Sequence, residues 1–215
     1  MTESATGLVL RARPLTETSL IIHWLTPETG RIATVAKGAR RPKSPFLGKL
    51  DLFYLADFSF SRSQRSDLHA LREISLRETH GALRQDIGKL RQAAYATAFI
   101  EQATETETPL PAVYQLLREF LDCLCRHKTA PQLLFAYELK MLHELGLAPD
   151  LTETRLAAGT KKIAEILTQH DWAAGVRLKL TDPQVIELGQ FLQGFLMRHL
   201  GRLPKGRGAA LAGEN

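Results

Sequence analysis

Positive charge is concentrated where an apolar, strand-like run of the sequence ends. The stretch RIATVAKGARRPKS occupies residues 31–44, and its apolar part stops at a Lys-Gly pair. Arg40, Arg41 and Lys43 then follow within four residues, next to two prolines. Lys and Arg side chains clustered on a turn are suited to contacting phosphate groups. A solvated turn is the simpler alternative, but the density of cations favours phosphate contact.

The same residues do not form a nucleotide-binding P-loop. That motif needs glycines six residues and one residue before its lysine, and here those positions are Lys37 and Pro42. Proline also lacks the backbone N–H that such a loop directs at a phosphate.

Other candidates for catalysis or metal binding are weak. Cys123 and Cys125 are two residues apart in a predicted helix, so at ~100° per residue they point in nearly opposite directions. Apolar packing is expected for both. The seven histidines are scattered, and Glu101, Glu105 and Glu107 are interpreted as the solvated end of a helix. Since no nucleophile, base and orienting group can be assembled, a binding protein is favoured over an enzyme.

Short apolar runs separated by polar turns occupy residues 7–76. The fourth run alternates most clearly, with Leu52, Tyr54 and Ala56 on one face. Five such runs predict a small closed or partly closed barrel. The runs are 7–13, 18–26, 31–37, 50–60 and 68–76.

Helical periodicity replaces this pattern near His80. Apolar residues recur at helical spacing in 113–124, 134–145 and 188–199, and Pro183 is placed for a helix start. The sequence therefore predicts an α+β chain with a barrel domain at 1–79 and a helical domain at 80–208. The Gly- and Ala-rich residues 209–215 are predicted to be a flexible tail.

The charge balance points to a polyanionic partner. The net charge is +5, and residues 1–80 hold 12 Lys and Arg against eight Asp and Glu. Nucleic acid is the first candidate for such a basic segment. No run approaches the ~18 apolar residues of a membrane span, and no secretory signal or disulfide framework is evident. These features favour a cytoplasmic protein without a membrane partner.

The barrel's basic and aromatic residues suit single-stranded nucleic acid, because cations follow phosphates and exposed rings stack on bases. Phe46, Phe53 and Tyr54 are the nearby aromatic residues. For Phe53 and Tyr54 the alternative is core packing, which is favoured for at least one of the two. The candidate DNA-binding residues are Arg11, Arg13, Lys37, Arg40, Arg41, Lys43, Lys49, Arg62 and Arg65. A possible second basic patch comprises Arg198, Arg202, Lys205 and Arg207.

Several segments resemble the RecO family of bacterial recombinational-repair proteins. The opening stretch shares R-x-R-P-x-x-E-[TS]-S-L at Arg11–Leu20, T-x-E-x-G-R at Thr26–Arg31 and V-A-K-G-A-R at Val35–Arg40. FAYELKMLHELGLAPDL at 135–151 is similar to an internal family segment. HLGRLPKGRGAAL at 199–211 is similar to its closing run, with Gly206 where serine is usual.

The resemblance implies a five-stranded OB-fold barrel followed by an all-helical domain. It also implies binding of single- and double-stranded DNA, annealing of complementary strands and a place at the bacterial nucleoid. The implied partners are RecR, the acidic tail of single-strand-binding protein (SSB) and, indirectly, RecA, which is loaded onto SSB-coated DNA.

One departure from the family concerns metal. Many members carry a four-cysteine zinc knuckle after the position of APDL, whereas here Leu151 runs into TETRLAAGTKK. Zinc and other cofactors are therefore not expected.

Two alternative functions stay open: a protein-interaction scaffold with weak or no direct DNA binding, and an RNA-binding OB module.

Overall fold

A computed structural model describes residues 2–212 of the chain, which fall into two compact units. The barrel unit comprises residues 2–80 with Thr104–Arg118, and the helical unit comprises Gly81–Ala103 with residues 119–212. The segment Thr104–Arg118 thus groups with the barrel, whereas the sequence placed it in the helical domain.

In the described residues, five strands form a closed barrel in the order β1-β2-β3-β5-β4, and β4 pairs back with β1. β3 and β5 are parallel across Ala33–Val35, and the other adjacent pairs are antiparallel. Helices follow the barrel, which confirms the predicted α+β fold with an N-terminal OB-fold. The strands are β1 (Thr2–Pro14), β2 (Leu20–Thr26), β3 (Gly30–Ala36), β4 (Leu55–Ser61) and β5 (Leu68–Glu78).

Aromatic side chains fill the barrel. Trp24 and Phe58 stack with ring centroids 4.1 Å apart, and the indole N–H of Trp24 donates to Thr34 Oγ1 at 2.8 Å. Ile22 and Trp24 point into this core. Because side chains alternate along a strand, Ile21 and His23 of β2 point outward.

The fourth strand is shorter than the sequence predicted. It begins at Leu55, and Leu52 lies outside it with 37% of its surface exposed. Phe53 adopts a left-handed backbone conformation (φ 66°), which interrupts the alternation expected from residue 50 onward. Its side chain is nevertheless buried.

The helical unit is organised around α3. Every side chain from Leu133 to Leu139 is buried, as expected for a helix enclosed by other elements. The three predicted helices are confirmed, and no helix in residues 2–212 is long and apolar enough to span a membrane. Residues 111–118 of α2 group with the barrel. The helices are α1 (Ile87–Ala103), α2 (Pro111–Arg126), α3 (Pro131–Glu144), α4 (Ala158–Gln169), α5 (Trp172–Arg177), α6 (Asp182–Leu200) and α7 (Arg207–Leu211).

The predicted flexible tail is wrong for its first residues. Arg207–Leu211 form the short helix α7, and Ala210 is buried. The carbonyl oxygen of Ala210 accepts a hydrogen bond from Gln92 Nε2 at 3.3 Å. Residues 213–215 of the predicted tail lie outside the described part of the chain.

Candidate nucleic-acid interface

The cationic turn after β3 is fixed to the loop between β1 and β2. The backbone N–H of Arg40 donates to Thr18 O at 2.9 Å, and its guanidinium donates to Thr16 O at 3.4 Å. Gly38 adopts a φ of 68°, and its N–H donates to Ser19 Oγ at 3.3 Å. Both loops therefore present their side chains at the same end of the barrel.

The rest of the connection between β3 and β4 is anchored by Phe46. This side chain is only 7% exposed and packs into the barrel core. Successive turns hold the backbone on either side, with Ser44 N–H donating to Arg41 O and Lys49 N–H to Phe46 O. The exposed cations of this segment thus lie on an ordered connection.

The two arginines of β1 lie on the outer face of the barrel. Arg11 pairs across the sheet with His23, and Arg13 pairs with Ile21. Both arginines are exposed and Arg13 adjoins the loop that binds Arg40. We call the six exposed cations of β1 and of the connection between β3 and β4 the basic rim. They are Arg11, Arg13, Lys37, Arg40, Arg41 and Lys43.

Lys49 has a different environment. It is half-buried and lines a cavity of about 710 Å³, to which Glu28, Asp57 and Glu73 also contribute. Arg72 also lines this cavity, but the three carboxylates outnumber the two cations. The structure therefore does not group Lys49 with the basic rim.

Arg62 and Arg65 occupy the loop between β4 and β5, but they differ in exposure and in their contacts with carboxylates. Arg62 binds the carboxylate of Glu3 at 2.9 Å and 3.1 Å, and it lies 3.0 Å from Glu107 Oε1. The hydrogen bond from Arg62 lowers the pKa of Glu3. Arg62 is therefore a cation engaged by two carboxylates, whereas Arg65 is exposed.

The predicted second patch loses one of its four members. Arg198, Arg202 and Lys205 are exposed, but Arg207 is only 5% exposed. Its guanidinium donates to both oxygens of Glu138, at 2.6 Å and 2.9 Å. Arg207 is a buried ion-pair residue and does not belong to a surface patch.

The core-packing alternative is confirmed for Phe53, and Phe46 is not an exposed platform either. Phe46 and Phe53 are buried, and Tyr54 packs partly against the barrel core. Cys123 is buried as expected, and burial raises the pKa of its thiol to about 11.

Sequence reasoning missed His23 and Arg31, and its interpretation of Glu107 as part of the solvated end of a helix is wrong, because α1 ends at Ala103. His23 and Arg31 lie on the outer face of β2 and β3, and Glu107 binds His69 Nε2 at 2.9 Å. Strand alternation could have indicated the first two. Burial, with the nearby guanidinium groups of Arg13, Arg11 and Arg31, lowers the pKa of His23 to about 4. Its imidazole is therefore neutral at pH 7.

Two family models match most of this chain. The N-terminal domain model of recombination protein O matches residues 1–80, which include the complete barrel, and the C-terminal domain model matches residues 84–155. The chain belongs to the RecO family.

Individual RecO proteins are similar over most of the chain. The DNA repair protein RecO of Anaeromyxobacter sp. (strain K) is 29% identical over 92% of this chain and 91% of its own length. That of Exiguobacterium sibiricum is 32% identical over 70% of this chain and 60% of its own length. That of Listeria monocytogenes serotype 4a is 30% identical over 74% of this chain and 61% of its own length.

Proposed function

We propose that this RecO-family protein is a DNA repair mediator that binds single- and double-stranded DNA through the basic rim. It would anneal complementary strands and, with RecR, help to load RecA onto SSB-coated single strands. The observation that carries the proposal is the ordered, exposed cationic connection at one end of a closed OB barrel. The relatives' names, DNA repair protein RecO, agree with it.

Phosphate contact explains how one surface could serve both binding and annealing. Lys and Arg contacts to phosphates carry no sequence information, so any strand could bind. Neutralised phosphates on two bound strands also repel each other less, which would favour pairing. No bond-making step is required of the protein.

The second candidate function is a protein-interaction scaffold for SSB and RecR. Burial of Phe46 and Phe53 favours it, since these rings cannot act as exposed stacking platforms for bases. Exposed Ile186 and Met197 on α6 add apolar surface to the helical unit. On this alternative, the basic rim would bind an acidic peptide or maintain solubility.

The salt dependence of single-strand binding distinguishes the two functions. Simultaneous substitution of Arg40, Arg41 and Lys43 by Ala removes ~3 phosphate contacts. We therefore expect the slope of log K against log salt to become less negative by about 2. Affinity should fall similarly for unrelated sequences, as measured by fluorescence anisotropy of labelled oligonucleotides.

A matched control removes the same charge from the helical unit. Arg155, Lys162 and Lys179 are exposed cations there, and their joint replacement by Ala should leave the slope unchanged. An unchanged slope in the first variant would remove this connection from the DNA path. Failure of the wild-type protein to bind any oligonucleotide at low salt, together with binding of the SSB tail, would favour the scaffold.

A further inference from the structure

The outer face of the barrel contains a pocket of about 450 Å³. Leu10, Ala33 and Leu68 supply its apolar lining, and Trp24 and Ile32, whose side chains belong to the barrel core, border it. Ligand pockets commonly have volumes of ~300–1,000 Å³ and apolar walls with a few polar groups. This pocket therefore has the size and lining of a binding site for a small group.

The pocket lies where β3 lacks a neighbouring strand. β5 pairs with β3 only across Ala33–Val35. At Arg31, β3 instead forms an isolated parallel bridge with Thr106. We call residues 104–108 the strap, which belongs to the barrel unit. Arg31 Nε donates to Thr104 Oγ1 at 2.9 Å, and the Glu107 N–H donates to Arg31 O at 2.9 Å. These bonds fix one wall of the pocket.

The polar lining is asymmetric. Arg13 and His23 contribute from the side of the basic rim, and Asp67 and Glu107 contribute carboxylates from the β4–β5 loop and the strap. Arg31 also lines the pocket, but its guanidinium donates to Thr104 of the strap. A phosphate inside the pocket would face these carboxylates and a largely apolar wall. A phosphate outside it could instead contact Arg13, which is exposed.

His23 provides an unused hydrogen-bonding atom. Its Nε2 has no hydrogen-bond partner among residues 2–212 and is covered from solvent, so a ligand in the pocket reaches it only when the imidazole turns toward that ligand. A buried polar atom without a partner is unfavourable, so a ligand that supplies the partner gains binding free energy. The lowered pKa of His23 keeps the ring neutral, which suits a neutral ligand with a polar edge.

We propose that this pocket holds one unpaired nucleobase of a bound single strand, with His23 at the base edge and Arg13 at the adjoining phosphate. The inference rests on the proposed function, because it requires that the protein binds DNA. A base has apolar faces and a polar edge, which match the pocket's apolar lining and His23. Base contact here would complement the sequence-independent phosphate contacts of the rim.

The test compares two oligonucleotides with the same number of phosphates. One is a 12-mer of thymidylate, and the other carries a tetrahydrofuran abasic residue at every position. We expect the wild-type protein to bind the base-bearing strand about 10-fold more tightly, the order of one base contact.

Two variants address the pocket directly. Ala33→Leu fills it, and should reduce affinity for the thymidylate strand about 10-fold while leaving abasic-strand affinity unchanged. Val35→Leu is the matched control, since Val35 is half-buried on the same side of β3 and does not line the pocket. It should change neither affinity. His23→Leu, which removes the edge contact, should reproduce the Ala33→Leu effect more weakly.

Each contrary outcome has a distinct meaning. Equal wild-type affinity for both strands overturns the pocket assignment and leaves the proposed function standing. The pocket assignment is also overturned if bases matter but Ala33→Leu has no effect, or if it weakens both strands equally. Binding of neither strand at low salt overturns the proposed function itself.

Discussion

The arginine residues of this chain show that a positive charge in the sequence does not establish that the side chain can reach a DNA phosphate. Arg40 lies on an ordered turn and is exposed, whereas Arg62 is engaged by Glu3 and Glu107. Arg207 is buried against Glu138. The predicted DNA-binding set thus separates by side-chain environment, and the exposed members remain the candidates for phosphate contact.

The buried ion pair of the helical unit is part of a hydrogen-bonded network of three side chains. Glu138 is fully buried and accepts hydrogen bonds from Arg207 and from the hydroxyl of Tyr95, the latter at 2.5 Å. Burial, with the carboxylate of Glu138 nearby, raises the pKa of Tyr95. The network connects α1, α3 and α7, so it ties the short C-terminal helix to the core of this unit.

Removal of the carboxylate should strongly destabilise the protein. Glu138→Ala leaves Arg207 charged and buried without its carboxylate partner, which costs about 3–5 kcal/mol of unfolding free energy. Urea denaturation followed by circular dichroism measures this loss. The control is the double variant Glu138→Leu with Arg207→Met, in which no uncompensated charge remains. It should be more stable than Glu138→Ala, and a loss below about 1 kcal/mol in the single variant would contradict the argument.

At the scale of elements, the turn between β2 and β3 and the strap depend on each other. Gly30 has a φ of 73° and lies against the backbone of Thr108. A Cβ at position 30 would overlap the Thr108 carbonyl oxygen, so glycine is needed for conformation and for space. The strap residue Glu107 in turn binds His69 of β5.

Gly30→Ala should therefore destabilise the barrel unit and displace the strap. A left-handed conformation alone costs a non-glycine residue roughly 1–2 kcal/mol. Gly48→Ala isolates that cost, because Gly48 has a φ of 72° and no atom of the described residues lies within 4 Å of the added Cβ. We expect Gly30→Ala to lose about 1–3 kcal/mol more than Gly48→Ala in urea denaturation, owing to the overlap. Equal losses would show that the strap does not constrain this turn.

At the scale of the whole molecule, the excess positive charge is concentrated at residues 1–80, the part of the sequence that forms the barrel. The RecO N-terminal model covers the same residues. The proposed annealing activity would therefore depend on the barrel's cations, whereas on the scaffold alternative the same cations would bind an acidic peptide or maintain solubility.

Strand annealing on SSB-coated oligonucleotides tests the proposal for the intact protein. We expect the protein to accelerate annealing of two complementary coated strands, with a smaller effect at high salt because phosphate contacts are screened. The Arg40, Arg41 and Lys43 triple variant should accelerate annealing less than the Arg155, Lys162 and Lys179 control. If the folded protein does not accelerate annealing at either salt concentration, the scaffold function is favoured over the mediator function.

Local periodicity was sufficient to predict the barrel, the main helices and the cationic turn. Alternating and helical patterns depend on neighbouring residues, and so does the charge density of residues 40–43. The same patterns failed where a single backbone conformation intervened, as at Phe53 in the predicted fourth strand.

Long-range contacts were decided only by the tertiary structure. Glu107 meets His69 from 38 residues away, and Arg207 meets Glu138 from 69 residues away. No periodicity links such positions, because their proximity follows from how the elements pack. The sequence by itself thus determined which elements form and where cations are abundant. Folding decided which cations are neutralised and buried, and it created the pocket beside β3, because burial and pairing depend on residues distant in the chain.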